Sequence, residues 1–334
     1  MNSKPARSTL IKFLRIVLAV AITVFSLYLA ARNVSITEVK SAFISARPVF
    51  IVWAFVSVVI NTLGKVFRWR VLMGQVWEEV SFSRAFMSLL AGQAVNNLYP
   101  ARVGDITRAY VANETGSGRV FLLGTILLEK LFDAVSYAIL FIILLLLFPL
   151  PDWINESVYV ISALSLFGLI LILFLAHRLE RFSNYMDRFI RFFPKRFQAK
   201  LQGWARSGIA SLEILQGGRE IVAILLWSAL VWGTAVVTNQ LTLLALHINL
   251  PITASILVLV VLQVSVSLPS VPGRIGIFEY LCILSLALFG IEQATAFSYG
   301  ILLHIIVLVP STLVGLVFLG FFTISGKQAD EVDA

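Results

Sequence analysis

Glu129 and Asp133 lie four residues apart in "LLEKLFDAVSY", within a long apolar stretch. On a helix that spacing places both carboxylates on one face. Two carboxylates cannot face lipid, so they must point into protein, where they could hold a proton, a cationic head group or an arginine. Lys130 sits beside them and could pair with a carboxylate from another helix.

The complementary charges occur where the apolar pattern breaks. "NNLYPARVGDITRAY", residues 96–110, contains Pro100, Ala101, Arg102, Val103 and Gly104; "SVPGRIGIFEY" contains Pro272, Gly273, Arg274, Ile275 and Gly276. Both read proline, small residue, arginine, β-branched residue, glycine. Proline removes a backbone donor and glycine loosens the helix. Irregular backbone at membrane depth is tolerated only when it is packed in protein or lines a wet cavity. The free N–H groups of a helix starting after each glycine, joined by a guanidinium, would cradle a phosphate. Arg102 and Arg274 are therefore the candidate phosphate ligands, with Arg108 in support. Glu279 in the second break could partner its arginine. Asn96 and Asn97, which border the first break, are supporting polar groups. The plainer alternatives are arginines that snorkel from short loops, and a structural partnership of Glu129 and Asp133 with Arg102 or Arg108.

These residues need membrane helices to position them. The chain has 334 residues, of which 59% are hydrophobic and 13% charged, with a mean hydropathy of +0.93. A soluble domain needs more polar surface. The apolar runs reach the ~20 residues required to cross ~30 Å of hydrocarbon, and none alternates like a barrel strand. Helices are expected at about 13–31, 49–67, 120–148, 154–177, 220–247 and 295–324. Two further pieces, about 84–99 and 252–290, are short or broken. The fold class is thus an all-α polytopic membrane protein with about six full spans and two re-entrant or broken helical hairpins. It forms a single integral membrane domain, 1–324, with a short tail, 325–334.

Between 178 and 219 nine Lys/Arg stand against three acidic residues, and Phe182, Met186, Phe189, Ile190 and Phe193 recur at helical spacing. This predicts an amphipathic helix on the membrane surface, cytoplasmic by the positive-inside rule. The basic N-terminus reads as an uncleaved signal anchor on the same side. Both markers are satisfied if the 84–99 piece dips into the membrane and returns. The external loop then predicted at 32–48 is basic, against the rule. The second break, re-entrant from the other side, brings the C-terminus back to the cytoplasm. The two breaks then form a possible inverted repeat with halves 13–148 and 154–324.

Composition also excludes much. The formal net charge of +8 clusters beside apolar segments, which points to anionic lipid rather than nucleic acid. The single cysteine, Cys282, permits no intrachain disulfide, and three scattered histidines build no zinc site. His304 reads as a satisfied interior histidine. No nucleotide loop or nucleophile elbow is present, so no cofactor and no metal is expected, and the chain is not expected to be an enzyme.

"NNLYPARVGDITRAY", "LLEKLFD" and "SVPGRIGIFEY" resemble, in order, the signature segments of the lysylphosphatidylglycerol synthase transmembrane region and its stand-alone flippase-like relatives in bacteria and archaea. The resemblance covers nearly the whole chain. It implies a multi-pass protein of a prokaryotic cytoplasmic membrane that moves or presents a lipid. The lipid would be an aminoacylated or other anionic phospholipid, or a polyprenyl-linked one. Residues 325–334 leave no room for the soluble synthase domain, so synthase activity is not expected. Three readings stay open: a lipid flippase, a membrane-embedded component of an aminoacyl- or glycosyl-transfer system, and a scaffold for a separate synthase or transferase.

Overall fold

The computed structural model describes residues 20–32, 34–99, 103–113, 118–148, 177–192, 194–265 and 272–332, with scattered positions between 163 and 174. Every regular element among them is helical. In chain order these are α1 (Val20–Ala31), α2 (Ile36–Ile44), α3 (Pro48–Met73), α4 (Phe82–Leu98), α5 (Gly104–Ala112) and α6 (Arg119–Leu147). They continue with α7 (Leu179–Ile190), α8 (Lys195–Ala210), α9 (Gly218–Ala245), α10 (Ile252–Ser265), α11 (Ile277–Ala287) and α12 (Gln293–Val332).

Four helices among the described residues are long and apolar enough to cross a membrane: α3 with its 3-10 extension to Glu79, α6, α9 and α12 as far as Phe322. A fifth is added if α1 and α2, bent by 76°, form one broken span. This fits the expected all-α membrane protein. Of the six expected spans, 13–31 is described only from Val20, and 154–177 is described only at scattered positions. The expected 49–67 helix is longer than its apolar run, because it continues through Arg68 and Arg70 to Met73.

Both expected interruptions are present. α4 has 17 residues and α5 nine, and α10 has 14 and α11 eleven. At 1.5 Å per residue all four fall short of a full crossing. α10 and α11 pack against each other. The 178–219 block folds as two helices, α7 and α8, rather than one, and the two pack together. Pro194, at the N-cap of α8, accounts for the division.

The chain forms two compact units, each drawing on distant parts of the sequence. Unit 1 comprises 1–58, 93–103 and 235–316, and unit 2 comprises 59–92, 104–234 and 317–334. Unit 1 is centred on Leu243, Val258, Cys282, Leu286, Tyr299 and Ile306. Hydrogen bonds between its helices run from Tyr299 to Asn239 Oδ1 at 2.8 Å and from Ser255 to Gln240 Oε1 at 2.7 Å. Such bonds, together with close packing, hold helices together where lipid removes the hydrophobic contrast. Unit 2 is centred on Val66, Trp69, Leu89, Leu122, Phe132 and Ile224. Its helices approach closely at glycines: a Cβ on Gly92 would lie 2.8 Å from Gly104 O and 3.0 Å from Arg108 Cβ.

Candidate functional site

The carboxylate pair on α6 is met by arginines from two other elements of unit 2. Arg68 of α3 places Nη1 2.8 Å from Asp133 Oδ1 and Nη2 3.4 Å from Glu129 Oε1. Arg108 of α5 places Nη2 2.8 Å from Glu129 Oε2. Glu129 is thus taken on both oxygens by different guanidiniums, and both arginines are almost completely buried. A lone arginine at membrane depth costs at least ~2.5–3.5 kcal/mol by insertion scales, and ion pairing offsets that penalty.

Neutral groups complete the surroundings. Arg68 Nη1 also donates to Ser228 Oγ at 3.1 Å, and Trp232 Nε1 donates to Asp133 Oδ1 at 3.3 Å. Arg108 lies with Cζ 3.8 Å from the centre of the Trp69 ring, and Trp69 Nε1 donates to Thr125 Oγ1 at 3.0 Å. The indole therefore gives Arg108 a π-face while its edge is tied to the carboxylate helix. Nε of Arg68 and Nε of Arg108 have no hydrogen-bond partner among the described residues. Towards the periphery, Lys130 pairs with Asp105 Oδ1 at 3.4 Å, with 40% and 24% of their side chains exposed. Asp133 shows 25% of its side chain, whereas Glu129 shows 4%. Asp133 is the carboxylate of the pair that a ligand could reach.

The sequence reading put Arg108, Glu129, Lys130 and Asp133 forward, and the fold brings all four into this cluster. Arg108 is engaged by Glu129, the structural partnership named as the alternative. Arg68 was missed because the apolar run ends at Phe67, just before it. The signal was available: two buried carboxylates demand cations, and "GKVFRWR" supplies Lys65 and Arg68 three residues apart on α3.

The second break belongs to unit 1. Gly273, Arg274 and Gly276 have φ of +74°, +57° and +87°, a left-handed passage that ends at the N-cap of α11. At Gly276 a side chain is doubly excluded: its Cβ would lie 2.8 Å from Thr23 O and 3.0 Å from Leu27 N. Glu279 receives the Gly276 N–H at 2.7 Å and meets His304 Nδ1 at 2.6 Å. The histidine ring stacks on Phe278 with centroids 4.3 Å apart. Glu279 is thus bonded to the backbone that starts its own helix and to a residue of α12, and His304 is the satisfied interior histidine expected. Asn97 donates to Thr312 Oγ1 at 2.9 Å. Asn96 lies at the end of α4, and Gly104 opens α5. Pro272 begins the 3-10 turn of the break. Pro100 and Arg102 lie outside the described residues.

Several helices long and apolar enough to span a membrane, two of them carrying buried charge, define a polytopic integral membrane protein. The chain belongs to the lysylphosphatidylglycerol synthase TM region family, whose pattern matches residues 16–315. It is 27% identical over 214 residues to a UPF0104 membrane protein of Methanocaldococcus jannaschii, covering 64% of this chain and 87% of the relative. It is 25% identical over 328 residues to another UPF0104 membrane protein, from Pyrococcus horikoshii, covering 91% and 95%. No solved structure matches the chain significantly.

Proposed function

We propose that this chain is a lipid flippase-like protein that binds a phospholipid or lipid-linked head group and carries it across the membrane. The observation that supports the reading is the cluster of Arg68, Arg108, Glu129 and Asp133 on helices that include two membrane spans. Ionisable groups inside a membrane helix bundle are costly, pair with one another and mark substrate or ion paths. A head group with a phosphate and polar substituents needs such groups to replace its water. Arg102 and Arg274 are the proposed phosphate contacts at the two breaks. The cluster in unit 2 is the proposed polar passage for the head group, with Asp133 its accessible carboxylate. The family name supports a lipid as the ligand, and no chemical step is assigned to the chain. The basic block of α7 and α8 is proposed to lie on the cytoplasmic face, with both termini on that side.

The test is transport. Purified protein in liposomes is expected to move a fluorescent phospholipid between leaflets, read by quenching of the outer leaflet with dithionite. Glu129→Gln is expected to slow it at least about tenfold, in line with the loss of one charged hydrogen-bonding partner. Equal rates in protein-containing and empty vesicles would rule the reading out.

A further inference from the structure

Unit 1 holds a second buried titratable pair, Glu279 in the first turn of α11 and His304 on α12. The two helices approach closely there. A Cβ on Gly300, one turn before His304, would lie 3.1 Å from Glu279 Cα and 3.3 Å from Cys282 Cβ. The carboxylate is used on both oxygens: Oε2 accepts the Gly276 N–H at 2.7 Å, and Oε1 meets His304 Nδ1 at 2.6 Å. Stacking on Phe278, with the planes 21° apart, fixes the plane of the imidazole. Glu279 thereby ties the irregular start of α11 to α12 through one histidine nitrogen.

The geometry decides where a proton goes. An ionised carboxylate only accepts hydrogen bonds, so the hydrogen between Oε1 and Nδ1 belongs to the ring. The neutral histidine is then the Nδ1–H tautomer, and its Nε2 carries a lone pair. Among the described residues no hydrogen bond or ion pair reaches that nitrogen. With the ring neutral, the pair carries one negative charge. A proton added at Nε2 makes the ring an imidazolium, leaves the Nδ1–H on Oε1 and brings the pair to zero. A lone buried charge in a helix bundle is costly, and pairing offsets that cost. Other ionisable groups nearby are Tyr280 and Cys282 on α11, Tyr299 on α12, the exposed Tyr28 on α1 and Arg274 in the break. Packed against α11, α10 has no titratable side chain, and His304 is the side chain that acts on the Glu279 charge. Broken helices are where transporters place coupling ions, and buried Glu and His build proton relays. We infer that Glu279 and His304 form a proton-binding site, with His304 Nε2 the atom that takes the proton, and that this proton is the coupling ion for the lipid movement proposed above. The coupling rests on the transport reading; the proton site does not.

The chain has three histidines, His177, His247 and His304, so nitrogen-15 NMR of histidine-labelled protein in micelles resolves each ring. His304→Asn assigns the ring of the site, and its carboxamide N–H can still reach Glu279. Should that variant not fold, His177→Gln and His247→Gln, at exposed positions, assign it by elimination. In alkaline solution His304 is expected to show a protonated Nδ1 and a bare Nε2, and on acidification Nε2 alone should gain a proton. Glu279→Gln keeps an acceptor for Gly276 and removes the charge. It should raise the proton concentration that half-loads the ring at least about tenfold, the scale of one charged hydrogen bond. A merely structural contact predicts neither the tautomer nor that shift. A hydrogen on Nε2 in the neutral ring, or a ring whose protonation never changes while the protein stays folded, overturns the proton site. In liposomes an imposed proton gradient should drive labelled phospholipid into one leaflet with wild type, and His304→Asn should lose that response. Movement indifferent to the gradient overturns the coupling. A titrating His304 in a protein that moves no lipid in any vesicle defeats the transport reading and leaves the proton site standing.

Discussion

Arg108 stands with its guanidinium carbon 3.8 Å from the centre of the Trp69 ring, and both side chains are almost fully buried. The pair comes from two elements, α3 and α5, and it links the hydrophobic centre of unit 2 to the charged groups. Desolvated cation–π contacts reach about 2 kcal/mol or more. Trp69→Leu should therefore destabilise the protein by at least that amount more than Trp69→Phe, which keeps a π-face under the guanidinium. Equilibrium unfolding in mixed micelles provides the comparison. Equal losses in the two variants would reduce the contact to simple packing.

Glu129 faces two arginines, and this dictates how its removal should behave. Glu129→Ala leaves two buried guanidiniums short of a counter-charge, and breaking a buried pair in this way costs about 3–5 kcal/mol. Adding Arg108→Ala to that variant should cost much less than Arg108→Ala alone, since the orphaned charge is then gone. The coupling energy from the double-mutant cycle is expected to be about 1–3 kcal/mol. Strict additivity would mean that the 2.8 Å approach between Arg108 and Glu129 contributes nothing.

The residues that were legible from sequence are those whose surroundings make them conspicuous. Glu129 and Asp133 stand in a run of apolar residues, so their spacing alone sends them to an interior face. The breaks announce themselves by proline and glycine. Arg68 was invisible to the same reasoning because hydropathy falls at Phe67 while the helix continues to Met73. The last turn is kept in register by tertiary contacts of Trp69, Leu72 and Met73, all fully buried, and no local pattern encodes those. The assembly of each unit from segments distant in sequence was equally hidden. Contacts such as Gly276 against Thr23, 253 positions away, depend on helices that are remote in sequence. Periodicity gives the faces of helices, not their partners.

Three glycines separate the possible reasons for lacking a side chain. Gly276 combines φ +87° with a 2.8 Å approach to Thr23 O, Gly290 has φ +74° in open space, and Gly233 is helical with nothing within 4 Å. Gly276→Ala carries both backbone strain, about 1–3 kcal/mol, and a clash with backbone that cannot move aside. Gly290→Ala carries the strain alone. Gly233→Ala should be neutral or stabilising by up to about 1 kcal/mol, through helix propensity. Thermal unfolding of the three variants should rank them in that order. A Gly276→Ala protein as stable as Gly290→Ala would show that α1 does not press on the second break.

The surface helix α7 offers a test of how the protein meets lipid. Leu179 and Ile190 at its ends are buried, while Tyr185 and Phe189, one turn apart, are mostly exposed. Asn184 sits between Arg181 and Arg188 on another side of the helix. A helix lying in the interface buries its aromatic face about 5–10 Å into the boundary region and keeps its polar face in water. The basic residues then lie at the level of anionic head groups, which lets their long stems cover apolar surface. Cys282 is fully buried, so a spin label can be directed to a single introduced cysteine without removing it. A label at Phe189→Cys should relax with membrane-dissolved oxygen and resist a water-soluble nickel reagent. A label at Asn184→Cys should do the opposite. Matching accessibilities at the two positions would take α7 off the membrane surface and leave its exposed aromatic residues to a protein partner.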